Sequence, residues 1–136
     1  MARPTNALIV DDEPHVRVFV KMLLKQLGIE QTWEAGDGVQ ALAMVAQHRP
    51  QLVMLDINLP MMSGLEVLSA LTQEKNRPPV IMLTSQSAMK TVQECVKLGA
   101  NAYILKQSPK AVALKMLGEA LTELEHAPAE GEETGG

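Results

Sequence analysis

The chain has 136 residues, 46% of them hydrophobic, and a net charge of −4, which suits one globular domain with its own core. Glu130, Glu132 and Glu133 sit in a tail with no Lys or Arg, so the remainder is close to neutral, at about −1. A lone cysteine, Cys95, excludes an intrachain disulfide; no basic block marks a nucleic-acid surface, and no apolar stretch is long enough to span a membrane.

In chain order, Ala7–Val10 is a short continuous apolar run, as expected of a strand buried on both faces. Pro14–Leu27 follows with Val16, Phe19, Val20, Leu23, Leu24 and Leu27 at helical spacing, and Gly28 supplies a stop. Gln31–Glu34 reads as a weaker strand, and Gly38–His48 as a helix through Val39, Leu42, Val45 and Ala46, closed by Arg49-Pro50. Leu52–Leu55 is a third strand and Gly64–Lys75 a helix carrying Leu65, Leu68 and Leu71. Pro79–Leu83 is a fourth strand, Ser87–Leu98 a helix ended by Gly99, and Ala102–Leu105 a fifth strand. Pro109–Glu125 is the last helix, with Pro109 suited to its first turn. The tail, residues 126–136, is rich in Gly and Glu and is expected to be disordered. Only Phe19, Trp33 and Tyr103 are aromatic, so aliphatic side chains and methionine must fill the core. Strict alternation of strands and helices implies an α/β fold, a parallel sheet covered on both faces, with its site at the carboxyl ends of the strands.

The residues just after the strands carry the chemistry. They are Asp11 and Asp12, then Asp56, then Thr84 and Ser85, then Lys106. In a parallel sheet these ends share one edge. Carboxylates brought together raise one another's pKa unless a cation relieves them, and a hard divalent ion is the simplest relief. Mg²⁺ accepts one or two carboxylates, keeps several waters and favours phosphate oxygens. With a lysine and a hydroxyl alongside, the set suits a transferring phosphoryl group, and a carboxylate can be its nucleophile. Read instead as an ordinary helix cap, Asp12 alone is accounted for, but not the acids, hydroxyl and amine at the other strand ends.

The order Asp11-Asp12, Asp56, Thr84, Lys106 resembles the receiver domain of two-component response regulators. LDINLPMMSG looks like its phosphorylation motif and GANAYILK like its last strand and lysine. The resemblance covers residues 5–125 and implies a flavodoxin-like, CheY-like doubly wound fold with strand order 2-1-3-4-5. It implies Asp56 as the phosphoacceptor, with Mg²⁺ (or Mn²⁺ in its place) on Asp11, Asp12, Asp56 and the backbone carbonyl of Asn58. Lys106 and Thr84 would hold phosphoryl oxygens, with Ser85 beside them, and Tyr103 would turn inward as part of the switch. Partners would be a sensor histidine kinase or histidine phosphotransfer protein and a downstream protein target, with no nucleic acid and no membrane insertion. The chain would be a cytoplasmic monomer or weak dimer whose output is another protein, as a relay, a chemotaxis-type regulator or the receiver of a larger protein.

One departure stands out: Gln107 follows Lys106 where the family usually has Pro, so a trans bond is expected there. Asn58 and Gln86 occupy positions that in the family influence access of hydrolytic water. Val18 and Met22, spaced i, i+4 and left outside the inward set, form a candidate docking pair for a kinase or phosphotransfer helix. Glu13 is expected to serve the helix dipole. The rival reading is a Mg²⁺-dependent phosphatase with an aspartyl nucleophile. Such enzymes usually carry a second acid two residues on, where this chain has Asn58.

Overall fold

A computed structural model describes residues 2–85 and 89–127. The chain runs β1 (Asn6–Val10), α1 (Pro14–Gln26), β2 (Gln31–Ala35), α2 (Gly38–His48), β3 (Val53–Asp56), α3 (Gly64–Thr72), β4 (Val80–Thr84), α4 (Met89–Leu98), β5 (Ala102–Leu105) and α5 (Lys110–His126). The strands form one parallel sheet in the order β2-β1-β3-β4-β5, the doubly wound order expected.

Alternation of side chains explains why the central strands are apolar throughout. Ile9, Met54, Ile81 and Leu83 face α1 and α5, in a core with Leu23, Leu24 and Leu117. Leu8, Val10, Val53, Leu55 and Met82 face the other way, against Val45, Leu68, Val92 and Cys95. Successive strand residues point to opposite faces, so a strand covered on both sides needs apolar residues at every position. Cys95 packs as a small apolar residue; burial, with Glu94 beside it, pushes its thiol pKa up.

Two helix ends show how local chemistry sets the boundaries. At the end of α1, Gly28 takes φ 91° and the Ile29 N–H donates to the Leu24 carbonyl at 2.8 Å, the backward bond of a glycine-closed helix. α3 stops at Thr72, three residues short of the expected Lys75. The N–H groups of Gln73 and Glu74 donate to Ala70 and Leu71, tightening the last turn, and Arg77 Nη1 donates to the Thr72 carbonyl at 3.2 Å. That long-reaching cap is invisible to helical periodicity. Pro109 is the residue before α5 rather than its first turn. No peptide bond is cis among the described residues, so Lys106–Gln107 is trans. Residues 86–88 and 128–136 lie outside the described residues, and with them the reading of Gln86, the start of the fourth helix and most of the tail. Among the described residues no helix is long and apolar enough to cross a membrane.

Candidate functional site

Sheet register brings the acids together. Val10 pairs with Leu55 across β1 and β3, so the next residues, Asp11 and Asp56, leave adjacent strands side by side. Thr84 pairs with Leu105 across β4 and β5, and the Lys106 N–H donates to the Thr84 carbonyl at 2.8 Å. The lysine therefore starts one strand away from the threonine and reaches back over the sheet edge.

Asp11, Asp56 and Thr84 are buried, and Asp12 is exposed at the mouth. Lys106 Nζ lies 2.8 Å from Asp11 Oδ2 and 3.0 Å from Asp56 Oδ2. Each buried aspartate is held by its other oxygen: Asp11 Oδ1 accepts from the Glu13 N–H at 2.9 Å, and Asp56 Oδ1 from the Asn58 N–H at 3.3 Å. These are the local bonds a carboxylate makes to the backbone two residues on. The two Oδ2 atoms, although within ion-pair distance of the ammonium, have no well-directed hydrogen bond. They are held by charge and aimed into the same space.

Asp56 is correspondingly reluctant to ionise. Burial, then the charge of Asp11, push its pKa from 3.8 to about 6 against the opposing pull of Lys106 and the Asn58 N–H. Burial alone would lower the pKa of Lys106, but its close contacts with the charged Asp11 and Asp56 outweigh that and raise it. One ammonium is shared between two carboxylates, so the site carries surplus negative charge.

Asp11, Asp12 and Asp56 can each offer an oxygen within 4.8 Å of the others. Oxygens across an octahedral Mg²⁺ shell are about 4.2 Å apart. Hard oxygen donors and two inadequately bonded buried oxygens fit such an ion. The exposed position of Asp12 leaves room for the waters that Mg²⁺ retains.

The other anticipated residues fall as follows. Thr84 is fully buried, and its hydroxyl donates to the Ser85 carbonyl at 3.1 Å, so it is engaged with its neighbour. Tyr103 pairs with Met82, and both belong to the core face that packs against α4. Thr84, two residues after Met82, shares that face. Asn58 is exposed at the mouth. Val18 and Met22 are exposed, at 67% and 38%, on the side of α1 that joins neither core.

Two residues play parts not foreseen. Glu13 precedes α1 but makes no side-chain cap; its carboxylate lies 3.2 Å from His15 Nε2 and 3.9 Å from Lys106 Nζ. As the N-cap residue it keeps the place expected of it at the helix dipole, and it stands at the rim of the acidic site as well. Arg17 Nη1 donates to the Asp11 carbonyl at 2.7 Å, while its Nε donates to Glu34 at 2.9 Å. It clamps the backbone that carries Asp11 and Asp12. The only sequence signal for it was a lone arginine on the first turns of a helix directly after the acids.

This fold, with an acidic edge closed by one lysine, defines the class. The family model of the response regulator receiver domain matches residues 7–117, and the chain belongs to that family. It is 38% identical over 101 residues to the chemotaxis protein CheY-3 of Vibrio cholerae, covering 73% of this chain and 78% of that one. It is 36% identical over 117 residues to the nitrate/nitrite response regulator protein NarP of Escherichia coli, covering 85% of this chain and 54% of NarP. The receiver domain of NtrX from Brucella abortus superposes with a TM-score of 0.76 at 30% identity, covering 85% of this chain and 98% of that domain. The chain spans about half the length of several curated relatives it matches.

Proposed function

We propose that residues 5–125 form a phosphorylation switch in which Asp56 accepts a phosphoryl group from a phosphohistidine on a sensor kinase or phosphotransfer protein. The observation that carries this reading is the buried Asp56 carboxylate, tied to the backbone through Oδ1 and offering Oδ2 beside Lys106. An oxygen of Asp56 attacks phosphorus, the P–N bond to the donor imidazole breaks with its electron pair going to nitrogen, and an acyl phosphate is left on Asp56. Asp11, Asp12 and Asp56, with the Asn58 carbonyl, would hold Mg²⁺, or Mn²⁺ in its place. Bound there, the ion offsets the surplus negative charge and that of the incoming phosphoryl oxygens. Lys106 is close enough to move from Asp56 Oδ2 onto a phosphoryl oxygen, keeping Asp11 as its second partner.

Thr84 then exchanges its bond to the Ser85 carbonyl for one to a phosphoryl oxygen, and Tyr103 follows on the same face. A protein partner reads the altered surface as a shift between two populations. Asn58, at the mouth, modulates how long the acyl phosphate lasts. The exposed pair Val18 and Met22 serves the phosphodonor's helix. The setting is cytoplasmic, and the direct output is a protein contact rather than nucleic-acid binding or membrane insertion.

The test is labelling from a small phosphodonor and from candidate kinases, with Mg²⁺, in the wild type and in Asp56→Asn. Stoichiometric labelling lost in the variant supports the switch. Continuous release of phosphate from phosphomonoesters would instead identify a phosphatase.

A further inference from the structure

Of the three acids at the sheet edge, Asp12 alone has no anchor for its carboxylate among the described residues. Asp11 and Asp56 each accept a backbone N–H on Oδ1 and face Lys106 with Oδ2. Asp12 is exposed, and its carboxylate makes neither a hydrogen bond nor an ion pair there. Its direction is therefore set by the backbone that carries it.

That backbone is held on both sides of residue 11. The Asp11 N–H donates to the Ala35 carbonyl of β2 at 3.1 Å, and the Asp11 carbonyl accepts from Arg17 Nη1 at 2.7 Å. The Asp11–Asp12 peptide is planar, so fixing the direction of its carbonyl fixes the line along which the Asp12 Cα leaves. Arg17 is itself held. Its Nε donates to Glu34 Oε1 at 2.9 Å, its side chain is only 20% exposed, and Nη1 lies over Gly36, 3.7 Å from where a Cβ would stand. One planar fork thus joins α1, the peptide between the two acids and the end of β2. A lysine has a single nitrogen and no fixed angle between two donors, so it cannot make the same junction. Charge points the same way. A guanidinium paired with Asp11 or Asp12 would compete with a metal, but the ion pair of Arg17 is with Glu34, and the acids keep their surplus negative charge.

We propose, resting on the Mg²⁺ reading of the site, that Arg17 is a positioning residue. Through the Asp11 carbonyl it aims the Asp12 carboxylate at the ion, and Glu34 holds the guanidinium in place. The sign of the effect separates this role from plain electrostatics. Removing a nearby positive charge would tighten Mg²⁺ binding. Losing the aim of one ligand loosens it, as with other groups that orient metal ligands from outside the coordination shell.

The test titrates Mg²⁺ into the full chain and follows the backbone amide signals of Asp11, Asp12, Ile57 and Asn58 by NMR. Arg17→Met and Arg17→Lys should each weaken Mg²⁺ binding about tenfold. Before any metal is added, the Asp11 carbonyl carbon should shift in both variants toward the value of an unbonded carbonyl. Glu34→Ala should weaken Mg²⁺ less, and its effect should vanish in the Arg17→Met background, because Glu34 acts through Arg17. In phosphorylation from a small donor, the Mg²⁺ concentration for half-maximal rate should rise by the same factor while the maximal rate is kept. Arg17→Lys preserves the charge and the stem, and it keeps the test open should Arg17→Met fail to fold. Mg²⁺ affinity that is unchanged or tightened in Arg17→Met, or restored by Arg17→Lys, would overturn the proposal even if the urea midpoint falls. A wild type with no saturable Mg²⁺ response at these amides would overturn the metal reading and the proposal together. A wild type and variants that saturate alike would overturn the proposal alone.

Discussion

The two ends of the sheet solve the same problem in opposite ways. At the amino end, apart from the exposed Arg3–Glu125 pair, side-chain amides satisfy the backbone. Gln51 Oε1 accepts from the Thr5 N–H at 2.8 Å, Asn6 Oδ1 from the Gln51 N–H at 2.8 Å, and Asn101 Oδ1 from the Val80 N–H at 2.9 Å. At the carboxyl end, two buried aspartates share one lysine and keep an oxygen each without a directed donor. Neutral amide bonds stabilise modestly whatever the pH, whereas crowded buried charges are tolerated only as a group. The amino end is built for stability; the carboxyl end crowds its charges, which in the proposed function serve a cation and a phosphoryl group.

Removing the shared cation should produce the largest effect. Lys106→Met leaves Asp11 and Asp56 buried against each other, and stability at pH 7 without metal should fall by about 3 kcal/mol. Mg²⁺ should restore much of this, as a shift in urea midpoint would record. An equal loss with and without Mg²⁺ would break the contrast between the two ends.

Removing an acid should act in the opposite direction. Asp56 has a folded-state pKa of about 6 against 3.8. Below about pH 4 it is protonated in both states and carries no penalty. Between about pH 4 and 6 the unfolded chain has released the proton and the folded chain holds it, so this group's contribution to stability declines as pH rises. Asp56→Asn should therefore raise stability at pH 7 by about 2 kcal/mol and flatten this part of the pH profile. A wild-type profile that rises between pH 4 and 6, with the variant no more stable, would contradict the assignment of strain to this carboxylate.

At the amino end, Asn101→Ala should cost about 1 kcal/mol, equally at pH 5 and pH 8, because it frees the Val80 N–H without involving a charge. Val18→Ser with Met22→Ser should change stability least, by under about 0.5 kcal/mol, since both side chains are exposed. The pair should slow phosphoryl transfer from a partner protein and leave transfer from a small phosphodonor unchanged; equal slowing of both would reject the docking role.

Much of this contrast was legible in the sequence. The unbroken apolar runs Leu8-Ile9-Val10 and Leu52–Leu55 announced strands buried on two faces, and alternation with helices fixed the shared edge for Asp11, Asp56 and Lys106. Strand order came from the family resemblance rather than from spacing. What escaped were contacts that long side chains make outside their own element. Arg17 reaches Glu34 and the Asp11 carbonyl, Arg77 ends α3 from beyond its last turn, and Glu13 stands between His15 of its own helix and Lys106. Hydrophobic periodicity does not encode these, because each depends on how the chain turns beyond an element's end or on where a second segment arrives.

In the proposed function, one carboxylate of the crowded edge is phosphorylated with the help of a divalent ion. The most direct test is to phosphorylate the chain with a small donor, reduce the acyl phosphate with borohydride, and map the product by peptide mass spectrometry. The account predicts homoserine at position 56 alone, formed with Mg²⁺ and absent when the metal is chelated. Homoserine at position 11 or 12, or equal labelling of position 56 without metal, would contradict it.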